Sequence, residues 1–498
     1  MAIATQYWPL GGGLDLVSPA VSLPPGGAIL AQNFECALNG GYRRMDGYTI
    51  YDGRTTGVPL GVSGSGPIRG VWEYGGDVYA FRDNTAGTAC VMHKATTSGW
   101  TVVTTPTLAV GGSYDFVNYN FGGHSGTQKM YGSDGVNKAF QFDGTTFTQI
   151  TTGMSSDTPT YVGVHKNHLF LSFSGGSVQH SGIGDPLTWT LATGAGEIGL
   201  GTEVTGLRSM QGNSLVITGS DRINILYGTS SADWDLKSFS MTTGAVAKTQ
   251  AHIETGLYFF NGDDLTSLAA TQSFGDFETA NIGALIKPYL ESRKGLIVGA
   301  SVNKDKNQYR LFFSDKTVLV GTIVNGAVVG YTNWLLSDTP SYIGEGYFGC
   351  TDGSVMRVDT GTSFNGGEIQ SFLRLAFTPL GTPQRKKRYR KAILEVESSG
   401  QVTLNYLADY DYGTGGSSSS AQVSIAGGAI AGGGGGGFWD VATWDDFVWS
   451  SAVVASPEAY LNGTGRNISL LIVHTSATEP AFTLQGVQLN YTIRGFNR

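Results

Sequence analysis

The sequence predicts an all-β protein: a β-propeller of six to seven blades over 68–380, an extended N-terminal lead-in over 1–67 and a C-terminal antiparallel β-sandwich over 381–498. Three observations lead there. The first is composition: 74 of 498 residues are Gly and only 14% are charged, against usual values of ~7% and ~25%. The second is a hairpin texture that repeats about every 40 residues, the size of a four-stranded blade. The third is a composition shift at 378–383, beyond which longer alternating strands begin.

Composition also excludes several classes. The 15 prolines added to the glycines stay below the ~25–30% of a low-complexity disordered chain. The 24 Phe, 23 Tyr and 9 Trp supply the apolar area of a packed core. Glycine does not recur at every third position, which excludes collagen. Helical repeats need Ala, Leu, Glu and Lys rather than Gly, Thr and Tyr. The N-terminus lacks the basic and apolar regions of a secretory signal, and no apolar run reaches the ~18 residues of a membrane span. Cys36, Cys90 and Cys350 are odd in number, far apart and without a C-x-x-C pair, so they read as small buried thiols. A net charge of −8 disfavours general nucleic-acid binding, which needs a basic surface, and suits a surface past which DNA slides.

The lead-in is broken by Gly11, Gly12, Gly13, Pro19, Pro24, Pro25, Gly26 and Gly27, which interrupt helices and long strands. Residues 28–34 fit a short helix or strand. The turn Asn39-Gly40-Gly41 then leads into a strand at 42–44. From 68 onward come six repeating units and a partial seventh over 342–358, with hairpin turns such as Gly75-Gly76-Asp77, Ser133-Asp134-Gly135 and Asn261-Gly262-Asp263. An aromatic near the end of a unit (Trp100, Phe147, Trp189, Trp234, Trp334) is expected to pack between neighbouring sheets. In the third unit the last strand is placed at 188–191. A long sandwich or a string of meanders competes with the propeller, but a ring removes exposed sheet edges. The segment 281–294, with Ile282, Leu285, Ile286, Tyr289 and Leu290 at three- and four-residue steps, is the best helix candidate, with Pro288 set against it. The C-terminal strands are read at 391–397, 402–409, 460–461, 467–474 and 482–492. They surround a Gly/Ser-rich loop at 413–437. The aromatics Trp439, Trp444 and Trp449 would staple that loop to the sandwich or meet another subunit.

No assembled catalytic set is legible. Asp77, Asp134, Asp143, Asp263 and Asp352 lie in turns, where Asp caps backbone N–H groups. The repeated Ser-x-Asp-x-Gly turn of sialidase-type propellers is missing. His165 and His168 flank Lys166-Asn167 and read as solvated turn residues, with a shared metal as the alternative. Asp409-Tyr410-Asp411 and Asp445-Asp446 lack the oxygen spacing of a dedicated calcium loop. The glycines at 432–437 lack the Lys and following helix of a phosphate loop. No cofactor is expected. One charge feature stands out: Arg385, Lys386, Lys387, Arg388, Arg390 and Lys391 place six basic residues in seven positions. They read as a strip that docks an acidic partner, with an edge strand protected from pairing and a DNA contact as alternatives.

The lead-in also carries a resemblance. Gly11-Gly12-Gly13-Leu14-Asp15, Leu23-Pro24-Pro25-Gly26-Gly27-Ala28, Gln32-Asn33-Phe34 and Gly40-Gly41-Tyr42-Arg43-Arg44-Met45-Asp46-Gly47-Tyr48 resemble the opening of tail nozzle or tail hub proteins of short-tailed bacteriophages. The basic strand opening at 387–391 and the closing strand at 484–491 add to it. The resemblance implies a β-propeller with an added β-rich domain. It further implies a structural virion protein, a hexameric ring below the portal–adaptor assembly that forms the distal tail channel. Such a ring holds tail fibres, spikes or a needle-like plug, conducts DNA at ejection and is assembled in the host cytoplasm. It brings no catalytic residue. A receptor- or glycan-binding propeller using exposed Trp and Tyr is the second reading, and a glycosidase-type propeller the third.

Overall fold

The computed structural model describes residues 3–19, 22–210, 214–270, 277–400, 402–413, 423–424 and 453–494. Seven antiparallel four-stranded units follow one another through the middle of the chain. Their first strands are Ser65–Tyr74, Asp115–Tyr119, Tyr161–His165, Val204–Met210, Ala251–Ile253, Ile297–Asn303 and Pro340–Ile343. Most successive first strands touch, and that of blade seven returns to that of blade one. Blades four and five are joined where Gln250 Nε2 donates to Thr218 Oγ1 at 3.2 Å. The result is a closed seven-bladed propeller, with apolar clusters between blades.

Glycine lets the blades approach. A Cβ on Gly163 would stand 2.8 Å from the Leu207 Cβ of the next blade, inside any tolerable carbon contact. The expected interblade aromatics divide. Trp234 of blade four meets His180 of blade three at 4.1 Å, and Trp334 is fully buried beside Phe348 and Met356 of blade seven. Phe147 instead stacks on Phe140 within its own blade, at 4.3 Å.

The seventh unit is partial for a physical reason: its outer strand comes from the lead-in. Tyr48–Ile50 pairs with Val355–Val358, so the end of the lead-in closes the ring on its last blade. The rest of the lead-in is equally committed. Ala4–Pro9 pairs with Phe482–Ile493, Phe34–Cys36 pairs with Tyr42–Arg44, and Ala28–Gln32 pairs with Ile369–Leu375. The 28–34 segment is therefore two strands, broken at Asn33, whose φ of 58° is one that Asn tolerates.

The C-terminal part is two facing sheets around one large core. One holds Lys387–Ser398, Glu458–Gly465 and Phe482–Ile493; the other holds Ile369–Leu375, Asn405–Tyr410 and Ile468–Ser476. The second sheet does not end at the sandwich. Through Ala28–Gln32, bridged in parallel at Gln32–Asn333, it runs on into blade six as one nine-stranded sheet. Two expectations change here. The 281–294 segment forms only a five-residue helix, Lys287–Glu291, flanked by 3-10 turns, with Pro288 in its first turn. Its beginning belongs instead to the strand Phe277–Asn281. In blade three the outer strand is Gly196–Gly199, and Leu191–Thr193 is a 3-10 turn.

Candidate functional site

The innermost strands leave a cavity of about 290 Å3 on the propeller axis, walled by all seven blades. Lys248, just before the first strand of blade five, crosses one end of the axis. Its Nζ donates to Ser113 Oγ and to Tyr114 O at 3.4 Å, ahead of blade two, and lies 5.0 Å from the Tyr342 ring centroid of blade seven. Burial pushes its pKa down to about 8, against the field of Asp115. Asp115 is held in turn: Arg208 Nη2 donates to Oδ1 at 3.4 Å and Val162 N to Oδ2 at 3.1 Å. Gln250 fixes its amide by donating to Val246 O at 3.1 Å, while its buried Oε1 accepts no bond. Lys304 and Glu345, which follow the first strands of blades six and seven, are exposed and mark the opposite rim. None of these groups was singled out from sequence. The available signal was positional, since they lie in or next to the first strand of their units.

A second constellation joins lead-in, propeller and sandwich. Tyr42 is fully buried, and its hydroxyl donates toward Gly11 O at 3.0 Å and Gly26 O at 3.1 Å while accepting from Gly13 N at 3.1 Å. Gly13 itself, at φ 70°, leaves no room: a Cβ there would stand 2.4 Å from Tyr331 N. Asn33 Nδ2 donates to Gln370 O at 2.7 Å, and its Oδ1 accepts from Leu335 N at 2.8 Å. Arg44, with no exposed surface, donates to Glu479 O, Thr362 O and Ser476 O at 2.9–3.1 Å. Beside it Lys306 Nζ reaches Glu35, Asp46 and Asp359 at 2.8–3.1 Å. Arg310 grips Asp359 with both terminal nitrogens, and Arg43 grips Asp46 likewise. Three bases thus meet three acids. Burial opposes ionisation of Asp359, but Arg310 and then Lys306 outweigh it and hold that carboxyl well below the usual range.

The basic strip is split by the alternation of its strand. Arg385, Arg388 and Arg390 are exposed. Lys387 points inward with no exposed surface and donates to Thr382 O, Arg385 O and Arg466 O at 2.7–3.1 Å; burial pushes its pKa down to about 8. Lys387 is therefore not available to a docking partner. Lys391 pairs with Glu458, and Arg390 Nε donates to Thr492 Oγ1 at 2.9 Å. Among the described residues, Lys386 and Arg388 make no ion pair. Trp439, Trp444 and Trp449 lie outside the described residues, as do Asp445, Asp446 and the glycines at 432–437.

Other candidates have structural partners. Asp134, Asp143 and Asp352 accept from backbone N–H groups of their own turns at 2.7–3.0 Å. Asp77 and Asp263 instead pair with Lys94 and Lys287, and Asp409 with Arg374. The turn Lys166-Asn167 has positive φ at both residues, but His165 and His168 are buried, not solvated. His168 Nδ1 lies 2.6 Å from Ser181 O, His165 Nδ1 lies 3.1 Å from Ser209 Oγ, and His180 completes a packed group around Trp234. Among the described residues no group of three His, Cys, Asp or Glu is placed to hold a metal ion. All three cysteines are buried free thiols, with Cys36 and Cys90 pushed up to about 12 chiefly by burial.

No protein-family model matches the chain, and no curated protein matches it in sequence. Solved structures of similar shape include virginiamycin B lyase from Staphylococcus aureus, at 12% identity and TM-score 0.45, over 62% of this chain and 98% of that one. A streptogramin B lyase follows at 13% and 0.44, over 62% and 96%. U3-55K matches at 7% and 0.41, over 63% and 98%. The likeness is one of architecture, and it brings no residue of theirs to this chain.

Proposed function

We propose that this chain is a structural ring subunit of a short-tailed phage tail, the nozzle or hub that forms the distal channel for DNA ejection and holds fibres, spikes or a plug. The observation that carries the reading is the position of the resembling residues. Gly13, Gly26, Asn33, Tyr42, Arg43, Arg44 and Asp46 are the residues that tie the sandwich and propeller into one body. A motif devoted to that joint is what a propeller with an added β-rich domain requires. The propeller axis is not the DNA path in this reading. Lys248 and the Arg208–Asp115 pair cross it, so the channel lies between subunits.

The net charge of −8 accords with a conduit that does not capture a polyanion. The strip residues Lys386, Arg388 and Arg390, set on an otherwise acidic chain, suit a contact with a neighbouring acidic surface. Light scattering on the purified protein tests the reading. A species of six times the 52.5 kDa chain mass, formed alone or on an adaptor ring, is expected. A chain that stays monomeric under both conditions contradicts it.

A further inference from the structure

The axial cavity contains a charge that its walls do not neutralise. Among the described residues no carboxylate lies within ion-pair distance of Lys248, whose ammonium is met by a hydroxyl, a carbonyl and the face of Tyr342. Asp115 is already engaged by Arg208 and by a backbone N–H. At the far rim Lys304 and Glu345 offset each other. Arg208 uses one terminal nitrogen on Leu207 O and the other on Asp115, and its Nε carries no bond. Gln250, 5% exposed, presents a buried Oε1 with no donor. A half-buried cation without a counter-charge is costly. Trp72 and Phe116 contribute apolar wall. The volume, about 290 Å3, is at the small end of ligand sites.

We propose that this cavity binds a small carboxylate with an aromatic or apolar body, the carboxylate lying between Lys248 and Arg208 and the body against Trp72 and Tyr342. The site is independent of the ring assembly, because every residue in it belongs to one propeller.

The test is isothermal titration of the full chain with 4-hydroxybenzoate at pH 7, beside the uncharged 4-hydroxybenzyl alcohol. Saturable binding of the acid is expected, at least about tenfold tighter than the alcohol, since the alcohol forgoes the charge-assisted bonds. Lys248→Met, with an unchanged unfolding midpoint, should remove that preference. Binding by the parent chain should also weaken above pH 8 as the ammonium deprotonates. Absence of saturable binding to the acid, equal affinity for acid and alcohol, or a folded Lys248→Met chain that keeps the preference would each overturn the proposal. If Lys248→Met does not fold, the comparison of acid with alcohol on the parent chain decides.

Discussion

Tyr42 pins the folded lead-in through one hydroxyl. It bonds Gly11, Gly13 and Gly26, in two segments of the lead-in, from a site with no exposed surface. Tyr42→Phe leaves the Gly13 N–H and two carbonyls without that partner. A loss of about 1–3 kcal/mol is expected, read as a lower denaturant midpoint with unchanged strand content. The histidines of blade three give a second residue-scale prediction. Burial pushes His165 and His180 down to about 4, from an ordinary ~6.5. The neutral form is favoured in the fold, so stability is constant above ~6.5 and falls as pH drops from there through about 4. Asp359 and Asp46 are lowered too, below the usual carboxylate range, but an acid's contribution is lost only below its ordinary ~3.9, so it is retained over that window. Thermal melts between pH 7 and 4 should therefore show a falling midpoint, and His180→Phe should flatten it. A midpoint that falls equally in the variant would assign the acid sensitivity elsewhere.

Among the elements, the strand Tyr48–Ile50 has the largest consequence for its length. Three residues complete blade seven and close the ring. Thr49→Pro removes a backbone donor from that ladder and clashes with strand geometry. Limited proteolysis should then cut first within 340–358, while the sandwich strands stay protected. This closure also shows where sequence reading stopped. Hairpins with Asn, Asp and Gly turns are local, and the repeat, the blade size and the partial seventh unit are legible from them. The missing strand comes from nearly 300 residues earlier, and no local pattern reports such a pairing. The segment 281–294 failed differently: its three- and four-residue spacing is real, but it winds as 3-10 turns on either side of the five-residue helix Lys287–Glu291, with Pro288 in that helix's first turn. His165 and His168 looked solvated because their turn is polar, whereas their burial depends on blade four, which brings Trp234 against His168 and Ser209 against His165. The axial site was invisible for the same reason, since Asp115, Arg208 and Lys248 meet only once the ring closes.

For the whole molecule, the glycine excess has two sources: open turns at positive φ such as Gly75, Gly76 and Gly262, and close approaches such as Gly163 against Leu207. Positive charge is local. Outside the six-residue strip the chain carries 25 Lys and Arg against 39 Asp and Glu, a balance of −14. Within the strip, alternation leaves Arg388 and Arg390 exposed and turns Lys387 inward, with Lys386 half-buried just before the strand. Exchanging Lys386 and Arg388 for Glu should therefore hinder assembly with little change in melting temperature, because these side chains make no ion pair among the described residues. Exchanging Lys387 should instead destabilise the sandwich, because three carbonyls lose their donor. Assembly that is unchanged by the double exchange would favour an edge strand protected from pairing.

Electron microscopy of the assembled protein bears most directly on the proposed role. Averaged images should show a six-fold ring with an open channel between subunits, each subunit a seven-bladed propeller whose own axis is blocked. Single propellers without ring contacts, alone and with adaptor present, would contradict the tail-nozzle reading.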